Sequence, residues 1–167
     1  MVIHFKSART FFLEPGVPYG WGKFIWSSDI PPSKTFVLCK VFHRRLPIDQ
    51  HIQNKGLHFC SMCTLCEKHE EFINHLFFEC PNALYIWSWV RRIFPTSHFS
   101  NKEDLLSFIK SDGSPLVKLI KLVVITFFIW MLWRMTNYAR FQDKIEVSRA
   151  ISVIKDLTCL VGKSYKA

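Results

Sequence analysis

Apolar residues recur along this chain three and four apart, the spacing of one face of a helix. In PPSKTFVLCKVFHRRL, two prolines suit a helix start, and Phe36, Val37, Val41 and Phe42, with Leu38 beside them, predict a helix from about 32 to 44. LPIDQHIQNKG reads as a second short helix, with Pro47 and Asp49 near its start and Gly56 near its end. Phe72, Ile73, Leu76 and Phe77 make one stripe of a helix over Glu70 to Glu79. Asn82 to Phe94 carries Ile86, Trp87, Val90 and Ile93 on one side. PTSHFSNKED reads as a linker, with Asp104 or Ser100 as a candidate helix cap at its end. Pro115 to Arg140 is a long apolar helix, and a last helix over 143–161 carries Ile145, Ile151, Ile154, Leu157 and Leu160. EPGVPYGWG, near the start, is turn-rich. No series of alternating strands and no internal repeat stands out, so the class is mostly α.

Charge narrows the partners. The 167 residues carry a formal net charge of +9, with 49% hydrophobic and 16% aromatic residues. Such a chain buries a core rather than staying disordered. Its basic balance favours acidic partners, nucleic acid or an anionic membrane surface. The opening MVIHFKSARTFF has no apolar run of signal-peptide length. An intracellular, reducing compartment is therefore expected, and there clustered cysteines read as metal ligands ahead of disulfides.

Four of the six cysteines lie in CSMCTLCEKHEEFINHLFFEC, residues 60–80. Cys63, Cys66, His75 and Cys80 form C-x2-C-x8-H-x4-C. A CxxC turn can place two thiolates on one ion, and a second pair closes a tetrahedron. Three sulfurs and one imidazole suit a single structural Zn²⁺ and leave no open position for water. His75 lies off the apolar stripe of its helix, free to turn toward the loop. His75 and Cys80 point in different directions on a continuous α-helix, so the chain must leave the helix before Cys80. Pro81 supplies the reason, because it pushes the preceding residue out of the α region. Other readings use the same residues. Cys60 or His69 could replace one ligand. Cys60, Cys63 and Cys66, with the distant Cys80-Pro81, could hold an iron–sulfur cluster. Or the thiols could be free.

Two further features bear on partners. Lys40, Arg44, Arg45, Lys55, Lys68, Arg91 and Arg92 flank the cysteine loop. They suit phosphate contact, with Trp87, Trp89 or Phe59 available for base stacking. The plainer alternative is a solvated face over an aromatic core. LVVITFFIWMLW, residues 122–133, is almost wholly apolar, and 116–135 approaches the length of a membrane span. Lys118, Lys121 and Arg134 limit the clean run, which favours a buried core helix over a membrane span or a partner-binding helix. Nothing places a nucleophile beside a base. No two aspartates are adjacent in the sequence, and the thirteen acidic residues read as solvated faces. A two-carboxylate metal site for nucleotidyl transfer is missing. Neither an enzyme nor a small-molecule substrate is expected.

Taken together, several motifs resemble the zinc-binding domain that lies after reverse transcriptase in plant non-LTR retrotransposon proteins. They are HFKSA (4–8), Trp26, Pro31-Pro32 with Lys34, Phe36, Arg45-Leu46-Pro47, Cys63-Thr64-Leu65-Cys66, Glu71, His75-Leu76-Phe77, Cys80 and Trp87. FIWMLWRMTNYARF (128–141) is similar to a segment often found further along in that family. The chain departs from the pattern at Cys39, where Trp is usual, at Thr136, where Arg is usual, and at Ile48, where Thr would cap a helix and Asp49 takes that role. The resemblance implies a non-catalytic, zinc-binding helical module that helps engage RNA or DNA, in the nucleus ahead of the cytoplasm. The expected layout is a small helical module around a Cys₃His zinc knuckle at 1–95, a linker at 96–115 and a C-terminal helical extension at 116–167. The competing expectation is a helical protein-interaction or membrane-associated domain that works through 116–135.

Overall fold

The computed structural model describes residues 22–141 and 147–164. HFKSA, most of EPGVPYGWG and Ile145 lie outside the described residues, as do the side chains of Leu157 and Leu160. The helices are α1 (Gly22–Ile25), α2 (Pro32–Phe42), α3 (Asp49–Gln53), α4 (Pro81–Ile93), α5 (Lys102–Lys110), α6 (Pro115–Phe141) and α7 (Val147–Ser164). A π-helical turn, His75–Glu79, precedes α4. The class is mostly α as expected, with no strand among the described residues.

The organising element is α6. A helix apolar all round must be covered all round, and every residue from Lys121 to Ile129 is buried. α2, α4, α5, α7 and the π turn all pack on it. Its polar groups are satisfied locally. The Thr126 and Thr136 hydroxyls donate to the carbonyls of Leu122 and Leu132, at 2.7 and 3.0 Å. Lys121 turns its Nζ out to Ser111 Oγ (2.6 Å) and the Asp112 carbonyl (3.1 Å). α6 is long and apolar enough to cross a membrane by length and composition, yet most of that stretch is inside the protein.

Trp87 ties α4 to this hub. It is fully buried and stacks on Phe128, with ring centroids 3.6 Å apart, and it meets Phe99 at 4.4 Å. Base stacking by Trp87 is thereby excluded. Ile86 and Val90 share its buried face, but Ile93, expected beside them, is 47% exposed. It is the last helical residue, and Phe94 turns inward instead to meet Phe108 edge-on.

The stretch expected to be a linker contains α5, whose Leu105 and Ile109 are buried. Its N-cap is neither Ser100 nor Asp104 but Asn101, whose side chain accepts from the Asp104 amide at 2.9 Å. Asp104 answers by accepting from the Ser100 amide at 2.7 Å, a reciprocal arrangement like a capping box.

α2 starts as its prolines predict, with Pro32 in the first turn. It stops at Phe42 in a Schellman motif. The Arg45 amide donates to the Lys40 carbonyl and the Arg44 amide to the Val41 carbonyl. Arg44 holds the left-handed position at φ 53°, where glycine is usual.

Candidate metal centre

The local chain builds the loop before any ion is considered. The Glu67 amide donates to the Cys63 carbonyl at 2.8 Å, and the Cys63 amide to the His69 carbonyl at 2.7 Å. Glu67 adopts φ 56° to close this turn. The amides of Leu65 and Cys66 face the Cys63 sulfur. Asn82, in the first turn of α4, donates from Nδ2 to the Leu65 carbonyl at 2.8 Å and fastens the loop to the helix.

The second pair of ligands comes from the π turn. The helix expected from Glu70 begins only at Ile73 and then widens. The Cys80 amide donates to the His75 carbonyl at 2.7 Å, an i→i+5 bond. Such a turn brings residues five apart to one side, which an α-helix would not do. The chain leaves the helix at Cys80 itself (φ −58°, ψ 134°), as Pro81 requires. The widening moves carbonyl pairing from the i+4 to the i+5 amide, and the Phe77 carbonyl accepts from Trp87 Nε1 at 2.7 Å.

Together these two segments place the ligand atoms of Cys63, Cys66, His75 and Cys80 within 4.8 Å of one another. Cys66 Sγ and His75 Nε2 are 3.3 Å apart. A tetrahedral zinc would separate a bound sulfur and nitrogen by about 3.5 Å. The donor set and its spacing therefore fit one zinc ion, with no place left open.

Electrostatics agree with ligation. Burial, then the charge of His69, lowers the His75 pKa and holds the imidazole in its neutral, ligating form. Cys63 is pushed up, chiefly by its hydrogen bond with Cys80 and by burial, while the same bond lowers Cys80. One sulfur thus keeps a proton for the other, a sharing that a cation replaces. The Asn82 and Ala83 amides polarise the Cys80 sulfur further, although neither closes a strict capping bond.

Cys60 is exposed and outside the group, which leaves an iron–sulfur cluster short of a ligand. His69 is exposed as well, with Nδ1 4.0 Å from Cys66 Sγ. Among the basic candidates, Arg44, Arg45, Lys68 and Arg92 are exposed, and Lys40 and Arg91 are half-buried. Lys40 lies over the Phe36 ring at 4.7 Å. Arg91 and Arg92 do not flank the knuckle. They end the helix that Cys80 begins, roughly 16 Å along its axis at 1.5 Å per residue.

Sequence reasoning missed the support behind the loop. Glu71, expected on a solvated face, is 1% exposed, and Asp49 is buried too. Arg140, at the end of α6, donates to Glu71 Oε1 (2.6 Å) and Asp49 Oδ1 (3.0 Å). The Ser61 hydroxyl donates to Asp49 Oδ2 at 3.0 Å and accepts from the Glu71 amide at 2.9 Å. Glu71 also serves the start of α3, where its side chain faces the Asp49 amide and its carbonyl the Gln50 amide, both at 3.4 Å. Asp49 is therefore not the cap of α3, and Ile48 at the N-cap offers none. Burial raises the Glu71 pKa against the opposing charge of Arg140. The one signal in the sequence was that Glu71 is among the residues that carry the resemblance, while Arg140 lies in the later segment that is similar to one often found further along such proteins.

Residues 5–87, just under half of the chain, match the family described as zinc-binding in reverse transcriptase. The matched stretch holds all four ligands and Glu71 and ends at Trp87. That family binds zinc and is not the catalytic part of reverse transcriptase. No curated protein and no solved structure matches the chain.

Proposed function

We propose that the chain is a non-catalytic, structural zinc module descended from the reverse transcriptase protein of a plant non-LTR retrotransposon, and that it contacts RNA or DNA in the nucleus. The closed Cys₃His group carries this reading. Four protein ligands fill a tetrahedral ion, so the metal holds the loop and α4 together rather than activating water. The net charge of +9 and the exposed Arg44, Arg45, Lys68 and Arg92 support a polyanionic partner.

Metal content by mass spectrometry tests the first half. One zinc per chain is expected, lost in Cys66→Ser and His75→Ala and kept in Cys60→Ser and His69→Ala. Full zinc in the first pair would refute the ligand set. Oligonucleotide binding that weakens as salt rises tests the second half, and no binding at low salt would remove it. Flotation with uncharged phosphatidylcholine liposomes, which do not attract a basic protein by charge, separates this reading from a membrane-associated one. Because α6 is covered, the zinc-loaded protein should stay with the soluble fraction.

A further inference from the structure

A second basic surface lies away from the zinc, in the angle between α4 and α7. α4 presents Tyr85, Ser88, Trp89 and Arg92, and α7 presents Ile151 and Lys155 around a shallow groove of about 230 Å³. Tyr85 is 58% exposed, and Lys155 Nζ lies 5.9 Å from the centre of the Trp89 ring. The lining contains two cations and no carboxylate. Pockets that swallow a small molecule are usually larger, about 300–1,000 Å³, and mostly apolar. A shallow groove of aromatic faces edged by cations suits a strand lying across it. The aromatic rings stack bases, and the cations track the phosphates.

The larger cavity beside the π turn, about 290 Å³, is less suited. Glu103 lines it, and Lys102 is already engaged with the Phe42 carbonyl and with Glu103. The geometry points to the α4–α7 groove as the binding site for single-stranded nucleic acid, with bases on Tyr85 and Trp89 and phosphates on Arg92 and Lys155. This inference rests on the nucleic-acid contact proposed above and assigns it to one surface.

The test uses the full zinc-loaded chain and fluorescence anisotropy with labelled oligouridine and oligothymidine. Tyr85→Ala should weaken binding about 5- to 100-fold, while Tyr85→Phe binds like the parent protein. Arg92→Ala and Lys155→Ala should each lower the slope of log affinity against log salt by about 0.7. Lys118→Ala, exposed on α6 and outside the groove lining, should change neither. All the positions substituted are exposed or half-exposed, and zinc content and circular dichroism confirm that each variant is folded. Should Tyr85→Ala fail to fold, the Arg92 and Lys155 salt slopes decide the matter. Binding by the parent that is unchanged in the groove variants overturns the groove and leaves nucleic-acid contact standing. Loss in Arg44→Ala alone, at the lining of the other cavity, overturns it in favour of that cavity. No binding of either strand by the parent removes both proposals, and equal binding of a polyglutamate chain would show a site for acidic protein instead.

Discussion

Arg44 and Arg140 show two opposite uses of the same side-chain type. Arg44 sits where the backbone wants glycine, at φ 53° in the motif that ends α2. A left-handed conformation disfavours any residue with a Cβ, and the extra unfolded-state freedom of glycine offsets part of that. Arg44→Gly should therefore stabilise the protein by about 1 kcal/mol in urea unfolding; a loss instead would show that its side chain holds the fold. Arg140 is the reverse case. It is the cation that faces two buried carboxylates, Glu71 and Asp49. Removing one partner of a buried pair costs about 3 kcal/mol, and Arg140→Ala should lose about that much. The loss should depend on pH. The Glu71 carboxyl already lies above its ordinary value of 4.5, mainly through burial and despite Arg140. A raised carboxyl contributes stability below the unfolded value and loses it as pH rises through the folded value. Without Arg140 the folded value rises further. The deficit of Arg140→Ala should thus be smaller near pH 5 than near pH 8, compared at saturating zinc. A deficit that shrinks on going up in pH would contradict this account of the network.

The π turn is the element on which the metal centre depends, and Trp87 is its support. Widening one turn aligns His75 with Cys80 but disturbs the carbonyl pairing of an α-helix, and the Trp87 indole donates to the Phe77 carbonyl at 2.7 Å. Trp87→Phe keeps an aromatic ring against Phe128 but leaves that carbonyl unpaired in a buried setting. It should cost about 1–3 kcal/mol and weaken zinc retention in a chelator competition. Phe128→Leu, on the far side of the same stack, should cost stability with little change in zinc retention. Equal zinc loss in both would mean that the indole acts only by bulk. This element also marks where sequence reading stops. Cys63, Cys66, His75 and Cys80 were legible because their chemistry and spacing are local, and Pro81 located the helix end. The π turn was not legible, because apolar stripes fit an α-helix or a widened one equally well. Asn101 as the cap of α5, Ile93 in solvent and Glu71 paired with a residue 69 positions away were not legible either. Each is decided by what tertiary packing brings near.

At the scale of the whole molecule, the zinc loop and the C-terminal helices share a single core. α6 packs against α2, α4 and the π turn, and Trp87 stacks on Phe128. A reading of the sequence divides the chain near residue 95, and the family match ends at 87. The packing argues that residues 1–95 do not fold without the rest. Leu38, Val41, Leu76, Phe77 and Trp87 are all buried, on elements that lean on α6. Uncovering a large apolar side chain costs about 1.5–3 kcal/mol, so exposing much of this set costs roughly 10 kcal/mol. Structural zinc supplies a similar amount, about 10 kcal/mol or more. Losing that burial removes a contribution as large as the one the metal supplies, while the conformational entropy cost of ordering the fragment remains. A fragment of residues 1–95 should therefore still bind zinc through its local loop, yet show no cooperative thermal transition and no near-ultraviolet signal from a packed Trp87. The full chain should show both, and both should vanish together on chelation, because the loop and α6 are joined through Arg140, Glu71 and the π turn. A fragment that melts sharply with one zinc bound would make the module independent and α6 an appendage to it.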